Sequence, residues 1–357
     1  MRVVAALSLG VLLIAASAWQ GRAGGGVAAQ ARTPAGIGHQ GDVFRFNKVR
    51  EGVYHAVGTG ALAVVGNSSV IVNDDDVVIV DDHVSPAAAW VLVDEVKRLT
   101  PKPVRYVINT HFHYDHSNGN QAFGPAVDII GHEFTRQMLL GGQSLKMPLY
   151  QGYVKGLPAQ IVNLQQRLDT ATDPARRAEL QTQFAAAKNN LESQAELRAV
   201  PPNVTMTSQM TLVRGRREIQ IRFLGRGHTA GDVVVFLPQE KVVITGDFMT
   251  AAMSNLSDSF PEEWVASLDA LKKLDFDTVL PGHGEAFTDK AKIDYYQAYL
   301  RDAWTQASRL KQQGVSAEEA VKRIDLSGHK EHYPTTNNLS VPLLGVQRIY
   351  ELLDARK

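Results

Sequence analysis

The sequence predicts a mixed α/β protein made of two strand-rich halves, and three observations lead to this prediction. Short apolar runs alternate with turn residues from Asp42 onward, as expected of strands. Helical patterns lie between several of these runs, for example at 87–99. A long helical stretch at about 150–200 then divides the chain into its two halves.

Each half contains several strands and at least one helix. The first half has apolar, mostly β-branched runs, and the second half repeats the pattern after residue 200. The predicted strands are 61–65, 69–72, 77–80, 104–109, 211–213, 218–224, 233–237, 241–245 and 278–280. The predicted helices are 87–99, 119–123, 133–140 and 261–273.

Residues 150–200 predict an αα-hairpin inserted between the halves. One apolar stripe runs through Ile161, Leu164 and Leu168, and a second runs from Leu180 through Phe184 and Ala187 to Leu191. Asp173-Pro174 between them is typical of a helix N-cap followed by its first turn. The last 60 residues are also mostly helical, with predicted helices at 295–312, 316–324 and 344–353.

The N-terminus resembles an export signal. Arg2 precedes an apolar run at 3–19, and small residues follow it, so we predict a signal peptide at 1–30 and a periplasmic or secreted protein. The alternative is a retained anchor, although the run is short for a membrane span and no stable anchor is expected after cleavage. We divide the remainder into a flexible leader at 31–42, a main domain at 43–300 and a helical C-terminal extension at 301–357.

Composition excludes several classes of function. The 37 basic and 37 acidic residues cancel, so no long-range field attracts a nucleic acid or an anionic membrane. The expected partner is a small-molecule substrate, and the oligomeric state is left open. The chain has no Cys, which excludes disulfides, thiolate ligands and a cysteine nucleophile. Any metal must therefore be held by His and carboxylate side chains.

A six-residue motif directly follows the predicted strand 104–109 and indicates a metal site. Imidazoles and a carboxylate crowded together would repel or remain unsatisfied unless a cation or a hydrogen-bond network compensated them. The potential ligands in this HxHxDH motif are His111, His113, Asp115 and His116.

Three more polar residues follow apolar strands, and each comes directly after a glycine that lets the backbone turn tightly. They are His228, Asp247 and His283. Singly, His228 or His283 is equally well a loop histidine. Together with the motif they give five His and two Asp, a set that suits two divalent cations sharing a carboxylate and a bridging water. Asp247 is the candidate for that bridge.

The ordered set HxHxDH, GHTAGD at 227–232, TGD at 245–247 and PGHG at 281–284 resembles the metallo-β-lactamase fold superfamily over about residues 43–300. The resemblance implies a four-layer αββα sandwich with a dinuclear centre at one edge. It assigns His111, His113 and His228 to one metal, Asp115, His116 and His283 to the other, and Asp247 to the bridge. It also implies that Asp81 supports the metal loop from behind, although a plain turn residue is the alternative.

The expected activity is hydrolysis by a metal-bound hydroxide. The expected cofactors are two divalent cations, with Zn²⁺ first and Fe or Mn as alternatives. Asp115 is expected to accept a proton or orient the hydroxide, so it joins Asp247 as a catalytic residue. The substrate is a small ester, lactone, thioester or amide. A β-lactam is kept as one candidate, although exported β-lactamases of this superfamily generally carry Cys or Ser where this chain has Asp247.

An iron-dependent sulfur or redox enzyme is the alternative function. The diiron oxidoreductases of this fold typically have Glu where His113 stands, which counts against that branch. Nucleic-acid processing is disfavoured by the charge balance, and a non-catalytic role by the complete ligand set.

Other residues have open roles. His83 and His132 either pack or face the cleft, and His329 and His332 lie in the tail. The acidic run 74–76 predicts a hairpin turn, and Tyr114 either flanks substrate or packs beneath the metal loop. We expect the hairpin at 150–200 to be a lid or a cleft wall, with the aromatic segment 147–153 at its base. The alternative is a helical pair packed far from the cleft or against a second subunit.

Overall fold

The computed structural model describes residues 33–334 and 339–356, and the predicted signal peptide lies outside them. Its strands form two sheets. The strands are β1 (Phe44–Arg50), β2 (Val53–Gly58), β3 (Ser68–Val72), β4 (Val77–Val80), β5 (Val104–Ile108), β6 (Asp128–His132), β7 (Val204–Met206), β8 (Gln209–Arg214), β9 (Arg217–Phe223), β10 (Val233–Leu237), β11 (Val242–Gly246) and β12 (Thr278–Pro281).

The helices of the described residues lie between and after these strands. They are α1 (Pro86–Val96), α2 (Tyr114–Ser117), α3 (Glu133–Leu139), α4 (Pro148–Thr170), α5 (Pro174–Ala195), α6 (Pro261–Lys272), α7 (Ala291–Gln312), α8 (Ala317–Arg323) and α9 (Leu343–Asp354). No helix in this part of the chain combines the length and apolar composition of a membrane span.

The seven-stranded sheet has the order β1 to β7, antiparallel as far as β4 and parallel from β4 to β7. The five-stranded sheet has the order β12-β11-β10-β9-β8, in which only β11 and β12 run parallel. Parallel strands end at the same edge of a sheet. The ends of β4 and β5 in one sheet and of β11 and β12 in the other therefore provide the positions for a site.

Alternating burial explains the layers. In β4, Val78 and Val80 face the second sheet, while Val77 and Ile79 pack with apolar residues of α1. In β10, Val235 faces the first sheet and Phe236 packs against α6 to α9. The two sheets thus share one core and each has helices on its outer face, which confirms the α/β sandwich.

The strand predicted at 61–65 is wrong. This segment is an irregular connection between β2 and β3, and Val65 has a left-handed φ of 61° that a strand does not allow. Its apolar side chains Ala61, Leu62 and Val64 are buried in the core against α1 instead, which explains the misleading strand-like pattern. Strands β1, β2, β6 and β7 were not predicted. The helix predicted at 119–123 is a short 3₁₀ helix at Asn118–Ala122.

The predicted helical hairpin is confirmed as α4 and α5. The Asp173 side chain accepts a hydrogen bond from the Arg176 backbone N–H, as predicted for an N-cap. Leu164, Leu180 and Ala187 form a small core between the two helices. The acidic run 74–76 is the predicted turn, closed by the Asn73 N–H donating to the Asp76 carbonyl.

The two flanking segments pack on neighbouring elements. Gly38 of the predicted leader accepts a hydrogen bond from the Asn189 side chain on α5. The predicted domain boundary at residue 300 lies inside α7, which shares its apolar core with the five-stranded sheet, α8 and α9. The domain boundaries remain predictions.

Candidate metal centre

All seven predicted ligands meet at one edge of the sandwich. The HxHxDH residues follow β5 and continue into the short helix α2, while Asp247 and His283 follow the parallel strands β11 and β12. His228 lies in the connection between β9 and β10. Their ligand atoms form three overlapping groups, and within each group these atoms lie within 4.8 Å of one another.

The first group contains His111, His113 and His228. His113 Nδ1 and His228 Nε2 lie 2.9 Å apart, and all three rings are buried. Burial lowers the pKa of His228 to about 3, reinforced by the neighbouring His113, and it lowers the pKa of His111 well below its usual value. Both rings are therefore neutral near pH 7, the form in which imidazole binds a metal.

The second group contains Asp115, His116 and His283. His283 Nε2 lies 3.2 Å from Asp115 Oδ2 and 3.3 Å from His116 Nε2. Burial acts to lower the pKa of both histidines, but Asp115 and Asp247 prevail and raise it to about 9 for His116 and about 11 for His283. Without a metal, protons on these rings balance the two carboxylates.

Asp247 lies between the two groups. Its Oδ2 is 3.6 Å from His228 Nε2 and 3.3 Å from His283 Nε2, and its Oδ1 is 3.4 Å from His116 Nε2. Although burial opposes ionisation, His283 and His116 hold the pKa of this carboxyl well below its usual value. A single carboxylate thus contacts histidines of both groups, the geometry that a bridging ligand requires.

Asp81 stands behind the ligands at the end of β4. Its Oδ1 accepts a hydrogen bond from the Thr110 N–H at 2.7 Å, and its Oδ2 accepts from the Thr110 hydroxyl at 2.8 Å and from His116 Nδ1 at 2.9 Å. The Thr110 oxygen in turn lies 3.0 Å from His111 Nδ1. This network orients His116 directly and His111 through Thr110, leaving the Nε2 atom of each ring for a ligand.

Two positions near the cluster require glycine, because neighbouring side chains approach the backbone too closely for a Cβ. A Cβ on Gly282 would lie 2.4 Å from Asp247 Oδ1 and 2.8 Å from His116 Cε1. Gly246 has a φ of 51°, and a Cβ there would lie 2.2 Å from the Thr110 hydroxyl. The tight turns predicted before Asp247 and His283 are therefore needed to bring the two strand ends together.

Asp258, which was not predicted, lies in the connection between β11 and α6 and contacts a predicted ligand. His113 Nε2 lies 3.0 Å from Asp258 Oδ2, so this carboxylate holds the ring with Nδ1 facing His228. Burial acts to raise the pKa of Asp258, but the hydrogen bond from His113 lowers it. An isolated Asp in a polar loop carries no motif, so no signal in the sequence identified it.

The four histidines whose roles were left open do not line the cavity beside the predicted ligands. His83 is buried and hydrogen-bonds to the Ser68 hydroxyl, and His132 accepts a hydrogen bond from the Phe134 N–H at the start of α3. His329 pairs with Asp302 at 3.1 Å, and His332 stacks on Tyr295. Their alternative role as cleft residues is therefore not supported.

A cavity of about 240 Å³ opens onto the two groups. Beside five of the ligands, its lining consists of uncharged side chains. These are Tyr114, Leu149, Thr250, Ala252, Met253, Ser254 and Asn255. A cavity of this size suits a small substrate, since sites for drug-sized ligands begin at about 300 Å³.

The residues fit a pair of divalent cations. His111 Nε2 and Asp247 Oδ1 are buried without a hydrogen-bond partner among the described residues, although buried polar atoms are normally paired. Nitrogen and oxygen donors in sets of three, with a carboxylate between them, match the ligands that such cations take. Metal binding would satisfy both orphaned atoms.

Comparison with known proteins identifies the family. The model of the metallo-beta-lactamase superfamily matches residues 61–283, which is more than half of the chain and contains all seven predicted ligands. The chain belongs to the metallo-beta-lactamase superfamily. Within this superfamily, it is 24% identical over 281 residues to a linear primary-alkylsulfatase of Pseudomonas sp. (strain ATCC 19151), covering 72% of this chain and 50% of that enzyme.

A metallo-beta-lactamase type 2 of Bacillus cereus is 31% identical over a shorter stretch of 86 residues, which is 22% of this chain and 34% of that protein. The chain thus spans half or less of the length of these relatives. Solved structures of the superfamily share the fold. They include the sec-alkylsulfatase Pisa1 from Pseudomonas sp. (TM-score 0.62, 17% identity, 87% of this chain and 50% of that chain) and a metallo-beta-lactamase from Pontibacter korlensis (TM-score 0.51, 18% identity, 72% and 99%).

We expect Asp258→Ala to weaken metal binding by about 10- to 100-fold, because His113 loses the carboxylate that orients it. Titration of the metal-free protein with Zn²⁺ against a competing chelator measures the change. Asp275→Ala is the control, since the Asp275 side chain is exposed and remote from the cluster. Equal affinities in the two variants would remove Asp258 from the site.

We also expect metal uptake to release protons. The raised pKa values of His116 and His283 keep both rings protonated near neutral pH in the metal-free protein, and a cation must displace those protons. Apparent affinity should therefore rise with pH toward 9, by about tenfold per pH unit for each proton displaced. Calorimetry in two buffers of different ionisation enthalpy counts the protons. No release at pH 7 would contradict these protonation states.

Proposed function

We propose that this chain is a metal-dependent hydrolase that acts on a small ester, lactone, thioester or amide. The observation that carries the proposal is the arrangement of seven ligand side chains in overlapping groups around Asp247, beside a small open cavity. His111, His113 and His228 would hold one cation and Asp115, His116 and His283 the other. Zn²⁺ is the proposed metal because it binds His and carboxylate donors in such sets.

The bound cations would supply an acidified water and polarise the reacting carbonyl or ester oxygen. The chain's own residues perform the positioning. Asp247 keeps the two ligand groups together, and Asp81 and Asp258 orient the histidines behind it. Burial opposes ionisation of Asp115, but His116 and His283 prevail and lower its pKa to about 2. Asp115 thus faces the cavity as a carboxylate that can accept hydrogen bonds and orient a bound water.

Sulfate-ester hydrolysis is a second candidate. It is supported by the similarity to the linear primary-alkylsulfatase, which extends over 72% of this chain, whereas the similarity to the Bacillus cereus beta-lactamase covers 22%. The iron-dependent sulfur or redox enzyme remains the alternative from another class, and metal analysis separates it from both hydrolases. A β-lactam remains one candidate amide.

We further propose that the protein is exported and works in the periplasm or outside the cell on a small molecule, rather than on nucleic acid or a membrane. The support is the charged start, apolar run and small residues of the first 30 positions, together with the balanced charge of the chain.

The decisive experiment combines metal analysis with a substrate panel. We expect the wild type to bind two metals per chain and to hydrolyse at least one of a p-nitrophenyl ester, a lactone, a thioester, a β-lactam or an alkyl sulfate.

His283→Ala should lose metal and activity. Asp247→Asn removes a negative charge between the two cations, so the second metal should be lost first. The pH optimum should shift upward, because the bound water becomes less acidic.

His39→Ala is the matched control, since His39 is exposed and its ring hydrogen-bonds to the Gly41 carbonyl. It should keep both metals and full turnover. Two equivalents of metal in Asp247→Asn would remove Asp247 from the bridging role, and a metal-loaded wild type inactive on the whole panel would contradict the hydrolase proposal.

A further inference from the structure

An aromatic stack connects the metal loop to the helical hairpin. Tyr114, between the ligands His113 and Asp115, stacks on Tyr153 of α4 with ring centroids 4.6 Å apart and an interplanar angle of 25°. The ring of Tyr150, one turn earlier on α4, has its centroid 5.7 Å from that of Tyr114. The first turns of α4 therefore pack directly on the loop that carries four of the ligands.

The same two tyrosines are tied to the second helix of the hairpin. The Asn190 side chain donates to the Tyr153 hydroxyl at 2.6 Å, and the Tyr150 hydroxyl donates to the Gln194 side chain at 2.9 Å. Gln194 in turn donates to the Val84 carbonyl just before α1, at 2.9 Å. The base of the hairpin is thus held from both helices, and its position relative to the metal loop is determined by specific contacts.

The distal part of the hairpin has a separate apolar core. Leu164, Leu180 and Ala187 form it with partly buried neighbours that also belong to α4, α5 and their connection. Val162, on the distal part of α4, is 56% exposed. The hairpin therefore has a base that contacts the site and a distal part that packs mainly on itself.

Leu149 brings this base into the cavity. It is the second residue of α4 and lines the same space as His113, Asp115, His228, Asp247 and His283. Tyr114, Ala252 and Met253 are the other apolar residues of the lining. A substrate group that enters between these four side chains is expected to be apolar, because burying a charge or an unpaired polar group there costs free energy.

We propose that the base of the hairpin forms one wall of the substrate cleft, that Leu149 determines specificity by contacting an apolar acyl chain beside the reacting carbonyl, and that Tyr153 positions this wall against Tyr114. This inference rests on the proposed hydrolase function, since it names the kind of ester or lactone that the site accepts. The base of the hairpin thus determines which acyl chain of the substrate is accepted. The seven predicted ligands carry out the chemistry independently of that choice.

The test uses two readouts on metal-loaded protein. The first is kcat/KM for p-nitrophenyl acetate, butyrate, hexanoate and octanoate. The second is the Kd of the corresponding alkyl hydroxamates, which chelate metals and need no turnover. We expect Leu149→Ala to lose about tenfold in kcat/KM on the preferred ester and in affinity for the matching hydroxamate, and to shift the preference toward longer chains. Metal content should remain that of the wild type.

Tyr153 is tested by a pair of variants. Tyr153→Phe keeps the ring stack, so KM should stay within about twofold of the wild type, while Tyr153→Ala should raise KM about tenfold with kcat less affected. Val162→Ala on the exposed distal part is the matched control and should change nothing. Loss of metal in Tyr153→Ala would overturn its role in positioning the wall and assign it to the integrity of the metal loop.

The outcomes separate this inference from the proposed function. If Leu149→Ala keeps the wild-type chain-length profile for both esters and hydroxamates, the wall proposal is wrong even if the enzyme hydrolyses esters. If chain length governs hydroxamate affinity through Leu149 but no ester is hydrolysed, the wall proposal holds and the proposed ester or lactone substrate fails.

Discussion

The main constraint on this structure is that two buried carboxylates, Asp115 and Asp247, lie among five imidazoles at one edge of the sandwich. Ionised carboxylates out of water need a compensating positive charge. Neutral imidazole nitrogens that face one another need a proton donor or a cation to bind. In the metal-free protein, the raised pKa values of His116 and His283 meet the first need with protons. His111 Nε2 and Asp247 Oδ1 have no hydrogen bond within the described part of the chain, so protons alone leave the cluster unsatisfied. Two cations would meet both needs at once.

The fold makes this cluster possible through strand ends and small residues. β4 and β5 in one sheet, and β11 and β12 in the other, end at the same edge, and Gly246 and Gly282 let the two edges approach without clash. Asp81 then connects the end of β4 to His116 and, through Thr110, to His111. Asp258 orients His113 from the other side. Six of the seven predicted ligands consequently lie on segments that directly follow core strands, and His228 lies in the connection between β9 and β10.

Much of the site could be predicted because its signals are local in the sequence. The HxHxDH motif places four ligands within six residues, and His228, Asp247 and His283 each follow a glycine after an apolar strand. The hairpin was also predictable, because two apolar stripes flank an N-cap pair.

What could not be predicted depends on contacts between distant segments. Asp258 meets His113 across 145 positions, and the Tyr114–Tyr153 stack needs the packed orientation of α4. The run at 61–65 resembles a strand, yet it is apolar because it covers the core as a loop.

Anomalous X-ray diffraction at the absorption edge of the bound metal, on crystals of the metal-loaded protein, would show whether two cations occupy this cluster. We expect two peaks in each chain, one among His111, His113 and His228 and one among Asp115, His116 and His283, with the Asp247 carboxylate between them. A metal-saturated protein with no peak in this cluster, or with a single peak that leaves one group of ligands unused, would contradict this expectation.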